Sequence, residues 1–113
     1  MTVFLIYGEE DSGKTSLCRK LNKLFTVISE AGSFIEKRKE KDFRSLIKLR
    51  DCTISIYSAG DDQETLNEGL QWAKDKNCDY HIASIRKGVK YTAIENEYSK
   101  LGKVVWVCLP PKE

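Results

Sequence analysis

Eight consecutive residues, Gly8-Glu9-Glu10-Asp11-Ser12-Gly13-Lys14-Thr15, set two glycines, a lysine and a hydroxyl at a spacing suited to gripping a phosphate group. Gly8 lets the chain turn back, and Gly13 leaves room for backbone to approach an anion. Successive N–H groups from Asp11 through Ser12 and Gly13 to Thr15, with Ser16 following on the helix, then point inward as a nest. Lys14 supplies a positive point charge for the outer phosphates, and the Thr15 hydroxyl is a natural ligand for Mg2+. The chemistry expected is capture of a nucleoside triphosphate, ATP or GTP, with magnesium.

Such a loop works only if rigid elements hold its two ends. Ahead of it, Val3 to Tyr7 is a run of β-branched, aromatic and aliphatic residues ending at glycine, the pattern of a strand buried on both faces. Behind it, Leu17, Leu21, Leu24 and Phe25 recur at helical spacing, opposite Arg19, Lys20, Asn22 and Lys23. A strand, a glycine loop and a helix therefore follow one another in the required order.

Farther along, residues 26–41 show no clean period, and they read as a short extended piece at Val27-Ile28 followed by a mobile charged loop. Residues 42–49 fit either a helix or a strand. The strand is preferred, because Arg50-Asp51 makes a tight turn into the alternating Cys52 to Tyr57. Leu66, Leu70 and Ala73 mark a second helix with an acidic first turn, ending near Lys76. Tyr80 to Ile85 is a further strand, Tyr91, Ile94, Tyr98 and Leu101 lie on one face of a third helix capped by Gly102, and Val104 to Leu109 is a last strand. Strands alternating with helices predict an α/β chain, a three-layer α/β/α sandwich around a mostly parallel sheet of about five strands, with an antiparallel edge if the 43–57 hairpin forms.

Residues 3–25 resemble the P-loop NTPase superfamily, whose Walker A motif has this strand, loop and helix, and the alternating remainder is consistent with that fold. The resemblance implies a second element, an acidic residue ending a neighbouring apolar strand, which holds magnesium through a water and helps set up the attacking water. Here the strand from Thr53 to Tyr57 runs into Ser58-Ala59-Gly60, with acids only at Asp61 and Asp62. A hairpin followed by Ala-Gly and a polar residue is also similar to the switch region of Ras-like GTPases. Aligning Gly60 with the glycine of that pattern puts Tyr57 where the magnesium-linked Asp belongs and Asp61 where the water-orienting residue sits. No Asn-Lys-x-Asp guanine-reading motif follows Ile85, so either base remains open. Asp61 and Asp62 are candidates for metal or water positioning and equally for capping the second helix. Arg86, in the basic turn after a strand, is a candidate nucleotide contact, since ligands bind at the carboxyl ends of parallel strands.

Bulk composition narrows the function classes. A chain of 113 residues with 41% apolar content has the size of one domain, and 1–113 is read as one nucleotide-binding domain. With 19 basic and 17 acidic side chains the net charge is +2, which gives no clear nucleic-acid signal. Cys18, Cys52, Cys78 and Cys108 have neither Cys-x-x-Cys spacing nor a histidine cluster around His81, so reduced core thiols are expected, and His81 is expected to be structural. No stretch has the ~20 apolar residues of a membrane span and no basic leader precedes Val3, so no membrane partner and a cytoplasmic location are expected. Three activities fit: an NTPase with Lys14, Asp61 and Asp62 as its catalytic side chains, a minimal kinase, or a non-catalytic nucleotide-binding module that recruits a protein through the 26–41 loop.

Overall fold

In the computed structural model, residues 1–9, 13–29, 33–37, 43–58, 63–86, 96, 98–100 and 102–110 are described. Their strands are β1 (Thr2–Gly8), β2 (Ser33–Lys37), β3 (Phe43–Lys48), β4 (Thr53–Tyr57), β5 (Tyr80–Arg86) and β6 (Lys103–Cys108). Two helices, α1 (Lys14–Val27) and α2 (Gln63–Asp75), complete the chain order. The six strands form one mixed sheet in the order β2-β3-β4-β5-β1-β6. The four strands β4, β5, β1 and β6 run parallel, while β2, β3 and β4 pair antiparallel at one side. Strand β1 thus lies inside the sheet, flanked by β5 and β6.

Side chains alternate across the sheet, and the two helices divide along that alternation. Val3 and Leu5 of β1 pack with Ala83 and Ile85 against Leu66 and Leu70 of α2, together with Tyr98. Ile6 packs with Ile54, Ile56 and Ile82 against Cys18 of α1, with Leu17, Leu21 and Phe25 closing around them. Burial of branched side chains at about 25 cal/mol per Å2 is what makes each helix stay on its face. Gly69 of α2 is required by close approach, because a Cβ there would lie 2.7 Å from the Tyr57 ring. Trp72, half-buried on α2, fills the space beside it, 6.4 Å from Tyr57 and 4.8 Å below the Arg44 guanidinium.

Residues 26–41 are not one loop. Val27 belongs to the last turn of α1, and Ile28 and Ser29 continue it with N–H bonds to Phe25 and Thr26 at 3.2 Å each. Backbone hydrogen bonding overrides the β-branched preference of Val27 and Ile28, which end up 78% and 55% exposed. Ser33–Lys37 then forms β2 against β3, so the sheet has six strands where five were expected. The β3–β4 hairpin forms as the sequence predicts, from Lys48↔Thr53 to Arg44↔Tyr57. Most of the proposed third helix lies outside the described residues; within it, Asn96, Tyr98 and Ser99 are helical. The buried Tyr98 hydroxyl donates to the Leu66 carbonyl at 2.9 Å, fastening that segment to α2.

At the amino-terminal edge of the sheet, Asp79 ties three strands together. Its carboxylate accepts from Thr53 N–H at 2.8 Å, its own N–H donates to the Thr53 carbonyl at 2.9 Å, and its carbonyl accepts from Thr2 N–H at 3.0 Å. Asp79→Ala removes only the first of these, and urea unfolding should show a loss of about 1 kcal/mol with an unchanged denaturant slope. A neutral result would mean that water replaces the carboxylate at no cost.

Candidate phosphate-binding site

β1 delivers Gly8 to the carboxyl edge of the parallel strands, and α1 starts at Lys14. Between them Gly13 takes φ +97°, a left-handed conformation that side-chain-bearing residues resist, with open space where a Cβ would project. Gly13 also receives the first helical bond, its carbonyl accepting from Leu17 N–H at 2.9 Å. No described side chain caps this helix end and no acid sits in its first turn. The Lys14 ammonium folds back onto the strand end, donating to the Gly8 carbonyl at 3.1 Å and the Glu9 carbonyl at 2.6 Å. It thus bridges the two ends of the loop, at the rim of the same turn.

Thr15 is half-buried and Ser16 is exposed, both on the first turn of α1. Arg86, half-buried at the end of β5, stands in register with Gly8 on the adjoining strand, one strand spacing of about 4.8 Å away. The structure therefore gathers Gly8, Gly13, Lys14, Thr15, Ser16 and Arg86 at one edge. Asp11 and Ser12, and the candidates Asp61 and Asp62, lie outside the described residues.

Register explains why the end of β4 carries no acid. Tyr57 is level with Ala83, and Ala83 with Leu5, three residues back from Gly8. At about 3.3 Å per residue this is some 10 Å below the rim. Tyr57 is fully buried, packed against Gly69 of α2, so a charge at that position would be an unpaired charge in the core. Tyr57 is a packing residue and brings no group to the rim.

Sequence reading passed over the buried hydroxyls that link the strands. Ser58 Oγ accepts from Phe43 N–H at 2.8 Å, and Ser84 Oγ donates to the Ser58 carbonyl. Ser45 Oγ donates to Oδ1 of Asn22 on α1. These bonds join β3, β5, α1 and the end of β4. Their signal in the sequence is a small polar residue inside an apolar strand, which becomes informative only once the partner is known.

His81 is structural, as its lone position implied, and it is fully buried with Nδ1 2.7 Å from Ser55 Oγ on the adjacent strand. Its Nε2 has no hydrogen-bond partner among the described residues. Burial holds the imidazole at about 4, below its usual 6.5. The folded state therefore binds fewer protons than the unfolded one between those values, so stability is fully present above pH 6.5 and falls as the pH drops toward 4. The expected loss is up to about 3 kcal/mol, and urea melts from pH 7 to pH 4 should show this step in the parent and lack it in His81→Gln. An equal acid slope in the variant would assign the loss elsewhere.

The thiols divide: Cys18 and Cys78 are buried, Cys52 is half-buried, and all four cysteines are free. Cys108 is exposed at the end of the outermost strand, which corrects the expectation that it is a core residue. Among the described residues no helix is long and apolar enough to cross a membrane. No protein-family model, curated protein or solved structure matches the chain.

Proposed function

We propose that the chain binds a nucleoside triphosphate, ATP or GTP, as its magnesium complex in the loop Gly8 to Thr15 and hydrolyses the β–γ bond, in a three-layer fold of the P-loop NTPase kind. The observation that carries this reading is the Lys14 ammonium resting on the Gly8 and Glu9 carbonyls at the mouth of a left-handed glycine turn. Those carbonyls are weak partners for a full positive charge, and phosphate oxygens are stronger ones. Lys14 would move to the β- and γ-phosphates, the loop amides and the α1 dipole would receive the β-phosphate, and Arg86 would meet the nucleotide from β5.

Thr15 fits a magnesium ligand chemically, since a hard cation takes hydroxyl and carboxylate oxygens, and its half-buried place beside Lys14 suits the role. Bound magnesium would neutralise charge on the phosphates. Asp61 or Asp62 would orient water from the segment that follows Ser58. Catalysis would rest on positioning and charge stabilisation, without covalent participation by the protein. A cytoplasmic site of action and a protein partner at the 26–41 region belong to the same proposal.

A second reading, binding without turnover, is favoured by one specific observation: the end of β4 offers a buried tyrosine and a serine whose hydroxyl is already engaged. Calorimetric titration of the chain with ATP and GTP, with and without magnesium, paired with phosphate release, tests both. Saturable magnesium-dependent binding with phosphate release supports the hydrolase. Binding with no release selects the module, and no binding of either nucleotide ends both.

A further inference from the structure

Helix α1 is fastened to the sheet along one flank. Asn22 Oδ1 accepts from Ser45 Oγ, Ser29 Oγ donates to the Lys48 carbonyl at 3.0 Å, and the Arg19 guanidinium lies 5.6 Å from the Phe43 ring. Beside the other flank, toward β6, is a cleft of about 330 Å3, walled by Leu17, Leu21 and Phe25 and floored by Phe4, Ile82 and Val107. Its lining is entirely apolar. Small-molecule sites span about 300–1,000 Å3, and an apolar cavity of about 150 Å3 already holds benzene, so the cleft has room for a small hydrocarbon.

Exposed apolar side chains continue the cleft toward solvent. Helical spacing puts Leu24 and Ile28 in line with Leu17 and Leu21, and they are 60% and 55% exposed. On the sheet, Tyr80 is 39% exposed and its ring lies 6.3 Å from that of Phe4. Two cations flank this apolar track. Lys20 precedes Leu24 by one turn of α1, and Lys103 of β6, level with Thr2, shares a face with Val107 by the alternation of the strand. Both lysines are exposed, and neither ammonium has a partner among the described residues. No acid lies on α1, β1 or β6, and the Asp79 carboxylate, next to Tyr80 in the chain, accepts from Thr53 N–H.

We propose that this cleft binds the alkyl tail of a single-chain anionic amphiphile, a medium-chain fatty acid, whose carboxylate is met by Lys20 and Lys103. An all-apolar lining selects a hydrocarbon tail, because a polar group buried there would lose its hydrogen bonds. Unopposed ammonium groups beside the opening select a negative head. A docked protein surface would cover Leu24 and Ile28, whereas the recess between α1 and the sheet has the volume of a small ligand.

The test is calorimetric titration without nucleotide and below micelle-forming concentrations, with hexanoate, octanoate, decanoate and uncharged decanol as probes. Binding should be one to one and should tighten roughly threefold to fourfold per methylene from hexanoate to decanoate. Lys20→Gln/Lys103→Gln should weaken decanoate about fivefold and leave decanol within about twofold of the parent. Val107→Phe, which fills the floor of the cleft, should abolish binding of both; if it does not fold, the chain-length series and the lysine variant decide. Affinity independent of chain length, decanoate affinity unchanged in the lysine variant, an equal loss for decanoate and decanol there, or undiminished binding by folded Val107→Phe overturns the proposal. A dimer in sedimentation that none of the probes disturbs would assign the cleft to a second copy, and overturn it too.

Discussion

Lys14→Ala should weaken binding of the magnesium–nucleotide complex by at least about a hundredfold and leave the fold nearly as stable as the parent. The two halves of this expectation come from the same contacts. In the free chain the ammonium bonds to the carbonyls of Gly8 and Glu9, at the half-buried to exposed edge of the sheet. Water can replace it there, so the stability change should stay within about 1 kcal/mol. In the complex the same group would make charge-assisted bonds to phosphate, each worth about 1.5–3 kcal/mol, and two of them account for the lost affinity. Lys14→Arg separates charge from shape, because a planar guanidinium is a poor replacement for a point charge inside a tight amide nest. Calorimetry and thermal melts on the three proteins decide the matter. Equal affinity in Lys14→Ala would remove the phosphate-loop assignment, and a large drop in melting temperature would make the lysine a structural clamp.

Gly102→Ala should be the most destabilising glycine-to-alanine change among Gly13, Gly69 and Gly102. Gly102 has φ +146°, and a Cβ built on it would stand 2.0 Å from the Met1 carbonyl oxygen. Alanine would meet both an unfavourable backbone conformation and a collision with backbone atoms that no rotamer can relieve. Relief requires Met1 to retreat from its packing against the Val3 and Leu5 cluster, beside the Thr2↔Lys103 pair that opens the β1–β6 ladder. The expected cost is about 2–3 kcal/mol, which lowers the melting temperature by roughly 10 °C. Thr2→Gly, which loosens the backbone that holds the Met1 carbonyl in place, should make the chain less sensitive to Gly102→Ala. Full additivity of the two substitutions would show that the clash is not the cause.

How much of this could be read from residue types follows the range of the interactions involved. The strand before Gly8 and the helix after Gly13 were legible because each carries its own contiguous pattern, and Leu17, Leu21 and Phe25 pack where their periodicity puts them. The β3–β4 hairpin was legible for the same reason, since Arg50-Asp51 brings Lys48 back to Thr53. Ser33–Lys37 was missed because five residues between Gly32 and a basic run carry too short a pattern to stand out. Its identity as a strand comes from β3, fourteen residues away between Ser33 and Ile47. The depth of Tyr57 in the sheet was not legible, because alignment by sequence does not reveal how far along the sheet a strand ends. Pairing with Ala83 and Leu5 sets that level, and only the register displays it. The Ser55 to His81 bond is equally invisible beforehand, since it joins strands separated by a whole helix.

The placement of β1 sets a temporal constraint on how the chain acquires its form. Strand β1 is held on one side by β5 and on the other by β6, both of which follow it by more than seventy residues. A nascent polypeptide emerging from a ribosome can close the β2–β3–β4 meander early, because those strands are neighbours along the chain. The segment after β1 acquires a fixed base only when residues 80–108 have emerged and captured β1 from both sides. Pairings of such sequence separation are slow to form, so a translation pause before Lys103 would expose β1 as an unprotected apolar segment, the stage at which chaperone holding would matter most.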